Sequence, residues 1–498
     1  MVLALLAFPA METEVSSFEQ FLNDLSGWLW GGIPLQVGEN VWTIPVLLIL
    51  LGGTGTYLTI RLKLLQLFRL GFALRLGLGK RGRSKEGEGD VSQFQSLMTA
   101  LAATIGTGNI VGVATAVSTG GPGAIFWMWV IAFIGMATKY AEGLLAVKYR
   151  VKDELGTMQG GPMYYIRLGM GEKWKWLAVA FAIFGSVAAF GIGNMVQANA
   201  VTGNLRSLVN SEILAGEWNW SIAGLKFATG KLELVSGIAL AAVTGLVIIG
   251  GIKSIARTSS VLVPFMAIFY MAGCVFIIGR FIGEVPAAFA LIFSDAFTGT
   301  AAAGGFTGAT VAMAIRFGVA RGVFSNESGL GSAPIAAAAA RTKEPVEQAL
   351  VSMTGTFIDS IIVCSLTGLA LVVTGVWVEG RDTAAFMTQN AFSHGLPGKS
   401  GGIIVGIGVI TFAYSSLLGW SYYGERCTEY LFGLKAVLPY RILWILAVVI
   451  GSVGGLHLVW TLADVLNAMM AIPNLIALVA LSGVVVAETR DYWARNQG

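Results

Sequence analysis

Long apolar runs, separated by short glycine-rich, polar or basic stretches, organise the chain. Each run approaches the ~20 residues that a helix needs to cross a bilayer. The pattern predicts about 11 transmembrane helices, over roughly 41–60, 94–119, 123–148, 176–205, 234–252, 258–281, 286–318, 346–377, 400–425, 438–456 and 458–487. The first is a leading span and the others are spans one to ten. Turn signals separate them: "GGPG" at 120–123, "GGIKS" at 250–254 and "GLPGKSGG" at 395–402. The segment 206–233, with Trp218, Asn219 and Trp220, reads as an interfacial loop, and 383–394 as a short re-entrant or capping helix. The organisation expected is an N-terminal extension 1–40, a leading helix 41–60 and a basic loop 61–93. Two five-span halves follow, 94–281 and 286–487, and then a tail 488–498.

Two runs are interrupted where a membrane helix should be continuous. Span one contains "TIGTGNIVG" at 104–112, and span six contains "FTGTAAAGGFTGATV" at 297–311. One reading is helix packing, because small residues let membrane helices approach closely. The other is binding. An unwound turn leaves backbone groups without helical partners, and these must line a polar cavity. Half-helix N-termini then offer N–H groups to a carboxylate, and half-helix C-termini offer carbonyl oxygens to a small cation. The interruptions lie five spans apart. Five is odd, so the two halves are expected to be inverted repeats, with the site near the bilayer midplane.

Other polar residues within spans join the candidate set. Thr411, Ser415 and Ser416 lie close together on span eight and offer hard oxygens to sodium; hydroxyls that bond back to their own helix are the plainer reading. Gln197, between Asn194 and Asn199 in span three, is a candidate for a substrate carboxylate or ammonium, or for interhelical bonding. Phe306 and Trp420 are candidates for the walls around a small apolar side chain. Intramembrane acids are functional candidates by default. Among them, Glu142 stands three residues from Lys139, the spacing of a helical pair, and Asp359 and Asp464 read as gating or packing residues. "SNESGLGSAP" at 325–334 reads as an inner gate loop or a helix-ending turn.

Composition narrows the class. The chain of 498 residues is 55% hydrophobic and only 12% charged, where a soluble protein is about a quarter charged. A net charge of +4 is too small to suggest nucleic acid. Arg61, Lys63, Arg69, Arg75, Lys80, Arg81, Arg83 and Lys85 crowd one loop, and the positive-inside rule makes that loop cytoplasmic. The N-terminus is then outside and the C-terminus inside, in a cell (plasma or inner) membrane. Cys274, Cys364 and Cys427 are expected as free thiols, and the two histidines have no zinc-site spacing. Without a phosphate-binding loop the chain has no ATPase of its own, and no enzyme motif is present.

Several stretches resemble the alanine or glycine:cation symporter family: "GTGNIVGVATA" at 106–116, "GGPGAIFWMWV" at 120–130, "MQGGPMYY" at 158–165, "FGIGNMVQAN" at 190–199, "SNESGLGSAP" at 325–334 and "GTFIDSIIVC" at 355–364. The resemblance covers about 40–490. It implies a LeuT-type fold of the amino acid-polyamine-organocation superfamily: a five-plus-five inverted repeat with discontinuous spans one and six and one extra N-terminal helix. It implies symport of sodium, sometimes proton, with alanine or glycine. Carried over by position, the substrate carboxylate meets Thr107 and Gly108 with Asn109 nearby, and Gln197, Phe306 and Trp420 complete the pocket. Sodium meets the carbonyls near Ala102 and Ile105, the carbonyl of Phe412, and the hydroxyls of Ser415 and Ser416. The partners expected are a small neutral amino acid, sodium and the lipid bilayer, with no obligate protein partner. A gated cation channel and a non-transporting membrane receptor are the alternative readings.

Overall fold

In hydrocarbon a helix satisfies each backbone N–H and C=O within its own segment, and the apolar runs fold accordingly. A computed structural model describes residues 17–37, 40–83, 86–209, 216–222, 225–301, 308–380, 384–454 and 457–496. The helices labelled below, in chain order, begin with α1 (Ser17–Ser26), α2 (Val46–Arg61), α3 (Gln93–Thr104), α4 (Gly108–Gly120) and α5 (Gly123–Lys148). Next come α6 (Glu172–Arg206), α7 (Lys231–Ile248), α8 (Gly251–Arg280), α9 (Val285–Thr298), α10 (Val311–Asn326) and α11 (Ala333–Ala338). The last six are α12 (Pro345–Val373), α13 (Ala384–Gly395), α14 (Ser400–Phe432), α15 (Leu434–Val453), α16 (Leu458–Ala480) and α17 (Ser482–Arg495).

Among the described residues, eight helices are long and apolar enough to cross a membrane; α3 with α4, bent by 55° at their junction, counts as a ninth where the pair is taken as one span. The leading span is α2, whose 16 residues are apolar but shorter than these. Helix α5 is the central one: 83% of its most apolar window is buried, against 33% for the peripheral α7 and α15. Leu246, Val261, Phe265 and Ile268 face outward from α7 and α8, as lipid-facing positions should. Ser92 and Gln95 form a reciprocal capping box that starts α3, and Thr310 caps α10 through the Met313 N–H. Among the described residues, three two-stranded hairpins accompany the helices. The expected interfacial loop contains one of them, Glu217–Ile222 paired with Leu225–Gly230. The expected capping helix is α13.

Span six departs from expectation. Of the stretch 297–311, the described ends, 297–301 and 308–311, close α9 and open α10 rather than lying within one continuous span. Gly299 and Gly308 have positive φ (78° and 86°), and Thr300 and Ala309 exchange backbone hydrogen bonds across the turn. The break lies later, at 327–332, between α10 and α11. There Glu327, Gly329 and Gly331 have φ of 55°, 90° and 83°. The segment read as an inner gate loop is therefore the second discontinuity. The N-terminal segment also docks. Asn23 accepts from the Thr461 hydroxyl at 3.0 Å, and the Trp30 indole donates to the Asp464 carbonyl at 3.1 Å.

Candidate functional site

The first break begins where Ile105 leaves the helix with extended dihedrals (φ −75°, ψ 91°). In a continuous helix the Gly106 N–H would go to the Ala102 carbonyl. Here it goes to Asn109 Oδ1 at 2.9 Å, so the Ala102 carbonyl loses that partner. Thr107 and Gly108 start α4, whose first N–H groups have no acceptor earlier in the helix. A Cβ on Gly106 would stand 2.5 Å from Ser416 Oγ, so a side chain there would require that hydroxyl to move. A Cβ on Gly108 would press on Phe324 at 3.2 Å.

Oxygens gather on the α14 side of this break. Ser415 Oγ lies 2.9 Å from the Phe412 carbonyl and 3.3 Å from the Ile105 carbonyl. Ser416 Oγ is buried and has no hydrogen-bond partner. Carbonyl and hydroxyl oxygens on two helices, one of them unsatisfied, make a donor set suited to a hard monovalent cation. Thr411 leaves the set, since its hydroxyl bonds back to Ile407 and Gly408 of its own helix at 2.8 and 3.1 Å.

On the other side of the same turn is a small cavity. Thr107, Gly108, Gln197, Ser416 and Trp420 line it, as do Phe324, Glu327 and Asn467, which the sequence reading did not include. Gln197 donates to the Ile192 carbonyl at 2.9 Å, and its Oε1 receives the Thr107 hydroxyl at 3.5 Å. Trp420 lies against Gly193, where a Cβ would come within 2.2 Å of the Trp420 Cβ. The other aromatic of the cavity lining is Phe324; Phe306 lies outside the described residues. Phe324 sits three residues before the second break, so placing that break at 327–332 would have pointed to it. Asn109 is absent from the lining. Its amide donates to Asp359 Oδ1 at 2.7 Å, making it a brace behind the turn.

Wide, π-type turns occur at 108–112, 191–195 and 357–364, each next to the site. The third presents Asp359, which is fully buried. Its Oδ2 accepts from Ser325 and Ser360, both at 2.8 Å, while Oδ1 takes Asn109. Asp359 thereby ties the first break to the end of α10. Glu142 holds the second break: its Oε1 accepts from the Gly329 N–H (3.2 Å), the Gly331 N–H (3.1 Å) and Asn474 (2.6 Å). The spacing of Lys139 and Glu142 allows a helical pair, but no hydrogen bond joins them. Glu142 turns to the break, and the buried Lys139 ammonium has no hydrogen-bond partner.

Two vestibules reach this cavity from the end where α1 docks. One, with about 630 Å³ of open space, is lined by Trp30, Arg316, Arg321 and Asp464; the other, with about 620 Å³, by Val111, Asn204 and Trp460. Phe324 borders both vestibules and the cavity, and so stands between them. The opposite end is shut. The backbone of Asp90 and Val91 pairs with Ala339 and Arg341, and Arg150 donates to the carbonyls of Ala338 (3.0 Å), Ala340 (2.7 Å) and Glu88 (2.9 Å).

The sodium:alanine symporter family matches residues 33–498 of the chain. The chain belongs to that family. It is similar to the sodium/alanine symporter AgcS of Methanococcus maripaludis, with 50% identity over 95% of this chain and 97% of the relative. An uncharacterized transporter of Haemophilus influenzae is 53% identical over 92% of this chain and 95% of its own. The probable sodium/glutamine symporter GlnT of Bacillus subtilis is 37% identical over 91% and 89%. Among solved structures, MhsT in complex with L-phenylalanine covers 81% of this chain and 98% of its own, at a TM-score of 0.52 and 14% identity. That likeness shows the fold: this member of the sodium:alanine symporter family is an all-α, multi-pass membrane transporter of the LeuT type.

Proposed function

We propose that the protein is a secondary active symporter that couples inward sodium movement to uptake of a small neutral amino acid, alanine or glycine, by alternating access. One observation carries this reading: a single unwound turn, 105–108, serves two ligand chemistries at once. Its carbonyl at Ile105 joins the oxygens of Phe412, Ser415 and Ser416, while Thr107 and Gly108 open onto the adjoining cavity. Sodium takes the oxygen cluster, with the freed Ala102 carbonyl beside it. The substrate carboxylate takes the N–H groups at Thr107 and Gly108, and Gln197, Phe324 and Trp420 enclose the side chain. Two ligands that require the same arrangement of one turn favour each other's binding, which is the thermodynamic content of coupling. The names of the relatives, sodium/alanine symporter and sodium/glutamine symporter, support the ligand classes.

The basic loop 61–93 and the tail 488–498 lie in the cytoplasm, and the N-terminal extension lies outside. The repeat halves are 94–281 and 286–487. In this orientation the vestibules open outward and the end closed by Arg150 faces inward. The test is uptake of labelled alanine into proteoliposomes. Accumulation is expected with an inward sodium gradient and not with potassium in its place. Uptake of equal rate and extent under both conditions would overturn the sodium-coupled reading.

A further inference from the structure

Past the end of α2 the chain turns sharply. Lys63 and Leu64 both hold left-handed backbone (φ 54° and 56°), and Gln66 Nε2 fixes the turn by donating to Thr59 Oγ1 at 3.0 Å. Two short helices follow, Leu65–Phe68 and Leu70–Leu78. One side of them is buried, through Leu65, Ala73, Leu76 and Gly77. A Cβ on Gly77 would stand 3.4 Å from Leu97 of α3 and from Val351 of α12, so the segment packs on both helices. The other side is apolar and bare. Leu67 and Phe68 are 58% and 72% exposed, and Leu64, Phe72 and Leu78 are exposed with them. Ile60 of α2, 70% exposed, carries the same apolar character up to the turn. Apolar patches of this kind mark contact with a partner or a membrane. The charge here has one sign: from Arg61 to Arg83 there are seven Lys and Arg and no Asp or Glu. Four of the seven are engaged, Arg61 with the Tyr57 hydroxyl, Arg69 with the Trp493 ring, Arg81 with Glu347 and Arg83 with the Phe94 ring. Lys63, Arg75 and Lys80 are exposed, and their side chains make no ion pair or hydrogen bond among the described residues. Arg75 stands three residues from both Phe72 and Leu78, on the bare side of the helix.

We propose that this segment binds anionic phospholipid of the inner leaflet. Its bare apolar side sits among the acyl chains, and Lys63, Arg75 and Lys80 meet the phosphates. The proposal rests on the orientation given above, which puts 61–93 in the cytoplasm. Charge complementarity selects the occupant. Three free cations with no acid among them suit a phosphate surface, whereas the same segment of a second copy would bring only like charge. A helix with apolar residues on one side and basic residues beside them is the form that lies in a membrane interface. Basic clusters just inside a span attract anionic headgroups, and long Lys and Arg stems cover apolar surface while their charged ends reach the phosphates. The segment packs on α3, which ends at the first break, so bound lipid also steadies the helix that leads into the transport site.

The test titrates the purified full-length protein, in neutral detergent, with phosphatidylglycerol or phosphatidylcholine and reads bound lipid by native mass spectrometry. Phosphatidylglycerol is expected to bind about 10- to 100-fold more tightly than phosphatidylcholine. Each basic residue at an anionic surface is worth about fivefold in affinity. Lys63→Gln, Arg75→Gln and Lys80→Gln together should therefore lower phosphatidylglycerol binding about 100-fold and leave phosphatidylcholine binding unchanged. Phe68→Ser should weaken both lipids, and reads the apolar half should the triple variant fail to fold. In phosphatidylcholine vesicles the triple variant and the wild type should take up alanine alike. Added phosphatidylglycerol should speed the wild type several-fold and the triple variant little. Equal affinity for the two lipids, or a triple variant that keeps wild-type phosphatidylglycerol binding, would overturn the proposal. A dimer in the mass spectra that Phe68→Ser abolishes would give the patch to a second copy and overturn it as well. Uptake indifferent to phosphatidylglycerol would overturn the link to α3. Labelling of Lys80→Cys, in a background without the native cysteines, from outside intact cells would overturn the orientation and the inner-leaflet assignment, while leaving the lipid affinities as measured.

Discussion

Ser416 shows how one atom's surroundings decide a role. Its hydroxyl is buried without a partner, although serines in membrane helices ordinarily bond back to their own turn, as Thr411 does. Gly106 comes so close to Ser416 Oγ that a side chain there would displace the hydroxyl. Ser415 is differently placed, within reach of carbonyls on both α14 and the broken turn. If these hydroxyls hold sodium, each contributes about as much as a charge-assisted hydrogen bond, about 1.5–3 kcal/mol. Ser415→Ala and Ser416→Ala should each raise the sodium concentration for half-maximal uptake roughly 10- to 100-fold. Uptake at saturating sodium should change much less. Sodium titrations that superimpose on the wild type in both variants would remove these serines from the cation site.

At the scale of elements, the two breaks are held from behind rather than by their own sequence. Asn109, Ser325 and Ser360 converge on Asp359, and Gly329 and Gly331 hang on Glu142, which Asn474 of α16 also reaches. An unwound turn at membrane depth persists only if its backbone groups find such partners. Glu142→Gln keeps the shape but removes the charge that strengthens three bonds. Each weakened bond costs about 1 kcal/mol or more, and a neutral amide beside Gly329 and Gly331 accepts less strongly. Alanine uptake should fall about tenfold or more, with the purified variant still monodisperse. Hydrogen exchange at 327–332 should rise selectively. Wild-type uptake together with unchanged exchange there would mean that the carboxylate is only packing.

At the scale of the whole molecule, one end of the bundle is open as far as Phe324 and the other is sealed by backbone pairing. Arg150 is the centre of that seal, donating to carbonyls on both partner segments. No other side chain of similar reach joins Glu88, Ala338 and Ala340 at once, among the described residues. Arg150→Gln should loosen the seal and shift the population toward the inward-open arrangement. A cysteine placed at Ala333, in a background without Cys274, Cys364 and Cys427, would report this. Its labelling from the cytoplasmic side by an impermeant thiol reagent should increase several-fold in the Arg150 variant. Equal labelling with and without Arg150 would show that the seal does not depend on it.

The sequence by itself determined the class. Hydrophobicity and helix length are local and additive along the chain, so most of the spans, a short helix over 383–394 and an interruption within 104–112 were legible in it. The family resemblance placed Ser415, Ser416, Gln197 and Trp420, and the structure brings all four to one turn. The second break was misplaced because glycine and threonine richness marks a sharp turn as readily as an unwound helix. Only the docking of α10 and α11 against α5 shows that "ESGLGS" is the stretch whose free N–H groups are met by Glu142. Phe324, Glu327 and Asn467 were missed for the same reason. Each lies on a different element or just beyond a helix end, and nothing in residue spacing relates α10 to α16. Which polar groups share a cavity, and which are left without partners, is a property of packing, and only the tertiary structure decided it.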